Sequence, residues 1–314
     1  MPRTAVVPPV LRTGPFSRAQ GLAAGLTSRQ LQGASFRRVH PRVWVHRDHV
    51  MTRLDEVRAA TLALPPHVHA THATRLLLSG LDVVRPPLRF VVAGDLHLAL
   101  DGVLLHRTPL LPPLDEQGVT PTAAFVALAA TERLLDVVAA GDWLAHRGLM
   151  SAVGLGELAA AQSWRRGARA AASVLPLLDG RSRSLPESQV RCLLVAAGLP
   201  RPEVNVPVLD DVRSPVTDLY LRRWRVAVEY EGRQHELDPG QFSRDLARYA
   251  RLREHGIEYV QVTRTMMRSP RAVVALVHEA LVRRGYDGPA PTFGGAWWSL
   301  FRPVRRRGGE SATD

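Results

Sequence analysis

An α+β chain is predicted, on three observations. Apolar residues at helical spacing alternate with short runs rich in Val, Leu and Tyr, punctuated by proline pairs such as Pro86-Pro87 and Pro112-Pro113. Residues 184 to 285 spell helix, three strands, helix, strand, helix: an α/β core in which three strands meander and the fourth arrives through a helical crossover. Ahead of it, two short helices and a basic hairpin form a small module. The 314 residues suffice for more than one buried core. The expected parts are a winged helix-turn-helix at 14–50, a mixed α/β middle region with a basic helical linker at 51–180, an αβββαβ domain at 184–285, and a basic tail at 286–314.

In the first part, Ser17 can cap a helix through Ala24, which Gly25 ends, and Thr27 can cap a second from 28 to 32. The run FRRVHPRVWVHR then alternates Val39, Val43 and Val45 with polar or basic neighbours, as a hairpin does. In winged-helix geometry the second helix enters the major groove. Ser28, Arg29 and Gln32 would then face bases while Arg37, Arg38 and Arg42 meet phosphates. The same pattern also suits a purely structural module.

In the middle, LDEVRAATLAL and TAAFVALAATERLLDVVAAGDWLAHRG read as helices, and LRFVVAG and LHLALDGVLLHR as strands. His67, His69 and His72 have a spacing that can share a metal, but no acid or cysteine lies nearby to complete the site, and a loop running into a helix explains them better. Residues 164 to 184 read as a basic helix ending at Gly180, then a polar linker.

All 41 basic residues are arginine, against 29 acids, for a net charge of +12. The absence of lysine excludes Schiff-base chemistry and a phosphate-loop lysine. The arginine excess favours a polyanionic partner, although genomic base composition also raises arginine. Cys192 is the only cysteine, which excludes an intramolecular disulfide and a cysteine-based zinc site; in an apolar helical run it reads as core. The first residues lack the apolar core of a signal peptide, and no run reaches the roughly 18 apolar residues of a membrane span. A cytoplasmic location without membrane association is expected.

In the third part, Asp218 stands on the second strand, and Glu229 and Glu231, two apart on the third, share a face. Three carboxylates converging there repel one another unless one is protonated or a cation neutralises them. Oxygen-only ligands select Mg²⁺ or Mn²⁺, which can polarise a phosphodiester and activate water. His235, just past Gly232, is a candidate general acid or base. The alternative is an acidic exposed sheet edge, against which the apolar run Val226-Ala227-Val228 argues for a buried central strand.

These residues carry a resemblance. Ser184-x-x-Glu187, the Asp in TDLYL, V-E-Y-E-G-x-x-H from Val228 to His235, Asp245-x-x-Arg248 and GIEYVQVT resemble the endonuclease-like family related to very-short-patch-repair endonucleases, within the PD-(D/E)xK restriction-endonuclease-like fold. The resemblance covers about a hundred residues and implies Asp218 and Glu229 as metal ligands. It places Glu231 where the wider superfamily has lysine, so Glu231 would act as a ligand or base. Glu187 has two open readings, an acid of the metal site or the partner of Ser184 in a capping box. Asp245 and Arg248 are either a surface pair or, through Arg248, a phosphate contact.

LTSRQLQ and RVHPRVWVHR resemble the N-terminal winged helix of AbiEi-type antitoxins, which implies DNA binding by that module. The combined expectation is a duplex-DNA-binding protein with an Mg²⁺- or Mn²⁺-dependent endonuclease domain hydrolysing phosphodiesters. The alternative is a non-catalytic DNA-binding regulator of antitoxin type, with a toxin or defence-system partner. The tail, with Trp297, Trp298, Arg302 and Arg305 to Arg307, reads either as a packed aromatic plug that frays into solvent or as a stacking and phosphate-contact arm.

Overall fold

The structure, a computed structural model, describes residues 7–209, 214–231 and 248–304. Helices make up 42% and strands 19%, with parallel and antiparallel pairs in the same sheets, so the fold is α+β. The chain divides into two compact units, one ending at Ala127 and the other beginning at Leu128.

The first unit opens with β1 (Phe16–Ser17), α1 (Arg18–Ala23), α2 (Ser28–Leu31), β2 (Phe36–His40) and β3 (Val43–His46), the strands ordered β1-β3-β2. Each short helix starts on a reciprocal cap, Ser17 with Gln20 and Thr27 with Gln30, which satisfies two otherwise orphaned N–H groups. Phe16, Leu26, Leu31 and Phe36 form the core beneath them. Val43 and Val45 are fully buried as the alternation requires, but the register shifts between Arg38 and His40 and leaves Val39 half-buried.

Residue 50 is no boundary. Thr52 caps α3 (Arg53–Ala63) through Asp55, whose buried carboxylate also bonds His49 Nε2 at 3.0 Å, and α3 packs on all three strands of the small sheet. Then come β4 (His69–Ala70), α4 (His72–Leu78), β5 (Leu88–Ala93) and β6 (Val103–Thr108), ordered β4-β5-β6 with β5 and β6 parallel. Only the end of LHLALDGVLLHR is strand: Leu96, Leu98 and Leu100 pack against the α3–β5 core without a ladder partner. The hairpin β7 (Leu114–Asp115) and β8 (Gly118–Val119) and the helix α5 (Pro121–Ala129) follow. His67 is exposed, His69 lies on β4, and buried His72 stacks on His106 at 4.7 Å. Among the described residues no three His, Cys, Asp or Glu side chains are grouped to hold a metal ion.

The second unit takes in what was expected to be the end of the middle region. The long helix expected through residues 122–148 breaks: α5 stops at Ala129, Arg133 bridges to Pro303, and α6 (Leu134–His146) starts afresh. After α7 (Ala152–Ala161), the expected basic helix shrinks to α8 (Ala168–Val174), preceded by left-handed Gly167 and prolonged by a 3-10 turn to Leu177. The helix α9 (Leu185–Ala196) packs on α6 and backs a four-stranded sheet. Its strands are β9 (Glu203–Pro207), β10 (Val216–Leu221), β11 (Val226–Glu231) and β12 (Glu258–Thr263), ordered β12-β11-β10-β9. The first three meander antiparallel and β12 runs parallel to β11, as expected. Burial pushes the Cys192 thiol on α9 up to about 11, which suits a core residue.

The helix α10 (Pro270–Arg283) ends before left-handed Gly285. Residues 286–304 do not fray: α11 (Gly295–Leu300) buries Trp297 between Phe293 and Phe301, and Leu134 N–H donates to the Arg302 carbonyl at 2.9 Å. Arg305 to Arg307 lie outside the described residues. Among the described residues no helix is long and apolar enough to cross a membrane.

Candidate active site

Strand register assembles a polar row across the second unit's sheet. The pairs Thr217–Val206 and Leu219–Val204 place Asp218 level with Asn205, and the β10–β11 register continued one step past Leu219–Val228 places it level with Glu229. Glu229 lies beside Gln261 in the parallel pair. Each of the four strands thus contributes one polar residue at the same level, and residues level across a sheet share a face. The row stands where the β10–β11 ladder ends, and Tyr230 N–H donates to Asp218 Oδ2 at 2.9 Å in place of a strand partner.

Burial, and next the charge of Glu187, push the Asp218 carboxyl up to about 6, while the Tyr230 N–H, Arg248 and Arg183 pull the other way. Glu229 is buried and receives Arg248 Nη2 on Oε1. Arg248 begins the described helical segment 248–254 and also donates to the Val216 carbonyl, so its guanidinium lies on the carboxylate row. Half-buried Glu231 ends β11 beside Thr263, on the same face as Glu229 by strand alternation. His235 and Asp245 lie outside the described residues.

Glu187 uses its two groups separately. Its N–H donates to Ser184 Oγ at 3.3 Å, which caps α9. Its buried carboxylate accepts from Arg183 N–H at 2.9 Å and from Asn205 Nδ2 at 2.8 Å, both on Oε2, rather than from the Ser184 N–H that a full capping box uses. Asn205 and Gln261 escape a reading of the sequence alone. Each sits between two apolar residues of a strand, a pattern that marks a polar face without saying what lies opposite. Tyr259 escapes it too: burial, then the bond from its hydroxyl to Tyr249 at 3.0 Å, and the Glu229 charge push its pKa up.

In the first unit Ser28, Arg29, Gln32, Arg37, Arg38 and Arg42 are all exposed. Arg18 donates to Ser28 Oγ at 2.7 Å, and Arg37 to the His49 carbonyl at 3.1 Å. The second helix is a single turn ending at Leu31, so Gln32 caps it from outside. Arg42 takes a left-handed φ of 62° at the hairpin tip.

The donor set suits a hard divalent ion in kind: carboxylate oxygens only, one of them raised towards neutrality by burial and a neighbouring acid, a cost that a cation relieves. Among the described residues no three such side chains already stand close enough to hold an ion, so the carboxylates would have to draw together around one.

No protein-family model matches the chain. Over 131 residues it is 34% identical to the uncharacterized protein MT2308 of Mycobacterium tuberculosis (strain CDC 1551 / Oshkosh), and equally to the uncharacterized protein Rv2248 of the H37Rv strain. The match covers 41% of this chain and 48% of each relative, so the chain spans about half the length of the curated relatives it matches. The endonuclease-like resemblance therefore stands on its residues alone.

Proposed function

We propose that the second unit carries an endonuclease-like site that hydrolyses phosphodiester bonds with Mg²⁺ or Mn²⁺, in a cytoplasmic protein whose N-terminal module binds duplex DNA. The observation that carries this reading is the meeting of Asp218 and Glu229 on adjacent interior strands, with Glu187 close enough to raise the Asp218 pKa. Burying like charges together is costly and is characteristic of sites that use them. Asp218 and Glu229 would hold the ion, with Glu187 or Glu231 as a further oxygen donor. Such an ion, when bound, polarises the phosphodiester and lowers the pKa of its water. Glu231, the last residue of β11, would be the carboxylate base that takes a proton from that water. The Arg248 charge, already on Glu229, would offset the phosphate as it approaches.

One observation favours the second reading, a non-catalytic DNA-binding regulator of antitoxin type with a toxin or defence-system partner: Glu229 is already neutralised by Arg248, an arrangement stable without an ion. Full-length protein with supercoiled plasmid and Mg²⁺ or Mn²⁺ separates the two. Nicking or linearisation by the wild type, lost in Asp218→Asn, supports the nuclease. Duplex binding without cleavage under either ion leaves the regulator.

A further inference from the structure

We infer that Asn205 is a positioning residue of the carboxylate site, holding Glu187 by one oxygen so that the other is left for an ion shared with Asp218. This rests on the ion-binding reading above. Asn205 interrupts β9 with a left-handed φ of 48° between Val204 and Val206, both of which keep their β10 partners. Asparagine tolerates that conformation better than most residues, and the cost is accepted in the middle of a strand.

What the side chain does there is specific. Its amide donates to the Arg181 carbonyl at 2.9 Å and to Glu187 Oε2 at 2.8 Å, and the Arg183 N–H donates to the same Oε2. Among the described residues no donor is bonded to Oε1. Both donors on Oε2 are uncharged, so they orient the carboxylate and leave its charge intact. Glu229 is treated the opposite way, by the guanidinium of Arg248. An arginine or lysine at 205 would cancel the charge that a cation needs, whereas an amide preserves it. Fixing a ligand through an outer hydrogen bond is the usual way proteins set metal affinity.

Mn²⁺ binding to the full chain, followed by calorimetric titration, tests this on the wild type, Asn205→Gly, Glu187→Gln and the double variant. Glycine keeps the left-handed backbone and removes the side chain with its two hydrogen bonds, so Asn205→Gly should still fold, at a somewhat lower thermal midpoint. The expected result is about ten-fold weaker Mn²⁺ binding by Asn205→Gly, with the double variant no weaker than Glu187→Gln alone. Wild-type affinity in Asn205→Gly overturns the inference and leaves the ion site standing. Additive losses in the double variant also overturn it, because Asn205 would then act independently of Glu187. No Mn²⁺ binding by the wild type overturns the ion-binding reading and this inference together.

Discussion

Arg191 on α9 donates to Asp142 on α6 at 2.7 Å, with both side chains buried. The same carboxylate accepts the Asp179 N–H, and the same guanidinium donates to the Leu177 carbonyl, so one buried pair ties two helices to the segment between them. Residues 128–180 therefore belong to the compact unit that carries the carboxylate-bearing sheet.

Removing one partner should be severe. Asp142→Ala leaves a buried guanidinium without its anion and is expected to cost about 3–5 kcal/mol, read as a lowered urea midpoint at unchanged slope. Asp142→Leu combined with Arg191→Met should recover most of that loss. A single variant as stable as the wild type would show that the pair holds nothing together.

Asp218 should make stability fall as pH rises. Its folded pKa of about 6 lies above the ordinary 3.8, so the folded state binds the proton more tightly than the unfolded chain. The cost of ionising it is absent below the unfolded value, grows between about 4 and 6, and is complete above 6. Asp218→Asn, whose side-chain oxygen can still accept the Tyr230 N–H, should gain about 3 kcal/mol at pH 7.5 and nothing at the lower end of that window. Denaturant titrations at several pH values read the difference, and a gain that persists in acid would mean Asp218 is not the group involved.

DNA binding by the first unit should depend on its exposed arginines. Arg29→Ala and Arg38→Ala, on the second helix and on β2, should each weaken duplex binding and reduce the slope of log affinity against log salt by about one for every phosphate no longer neutralised. Fluorescence anisotropy across a salt series measures both. Point substitutions are preferable to deletion of residues 1–50, because the His49–Asp55 bond and the packing of α3 make that segment part of a larger core. An unchanged slope in both variants would move the DNA-binding surface elsewhere.

The C-terminal element order was readable because its strands are continuous apolar runs, Leu219 to Leu221 and Val226 to Val228, bounded by turns and helix caps. Ser17, Thr27 and Ser184 announced helix starts for the same local reason, an oxygen three residues before an unsatisfied N–H. The break between α5 and α6 was not readable. The sequence TAAFVALAATERLLDVV is helical throughout by propensity, and the bridge that interrupts it, Arg133 to Pro303, spans 170 positions. For Trp297 the sequence offered a packed plug or a stacking arm, and the fold takes the plug: its neighbours Phe293 and Phe301 close around it.

The sequence by itself determined which residues have the chemistry: carboxylates at 187, 218, 229 and 231, arginine as the only strong base, no lysine, one cysteine. These are properties of residue type and strand alternation, set within a few positions of each residue. Tertiary structure alone decided the partners. Asp218 meets the Tyr230 N–H, Glu187 meets Asn205, and Glu229 meets Arg248, because register and a helical crossover bring together residues 12 to 19 positions apart. Charge balance at the site is set by those pairings, and no local pattern encodes them.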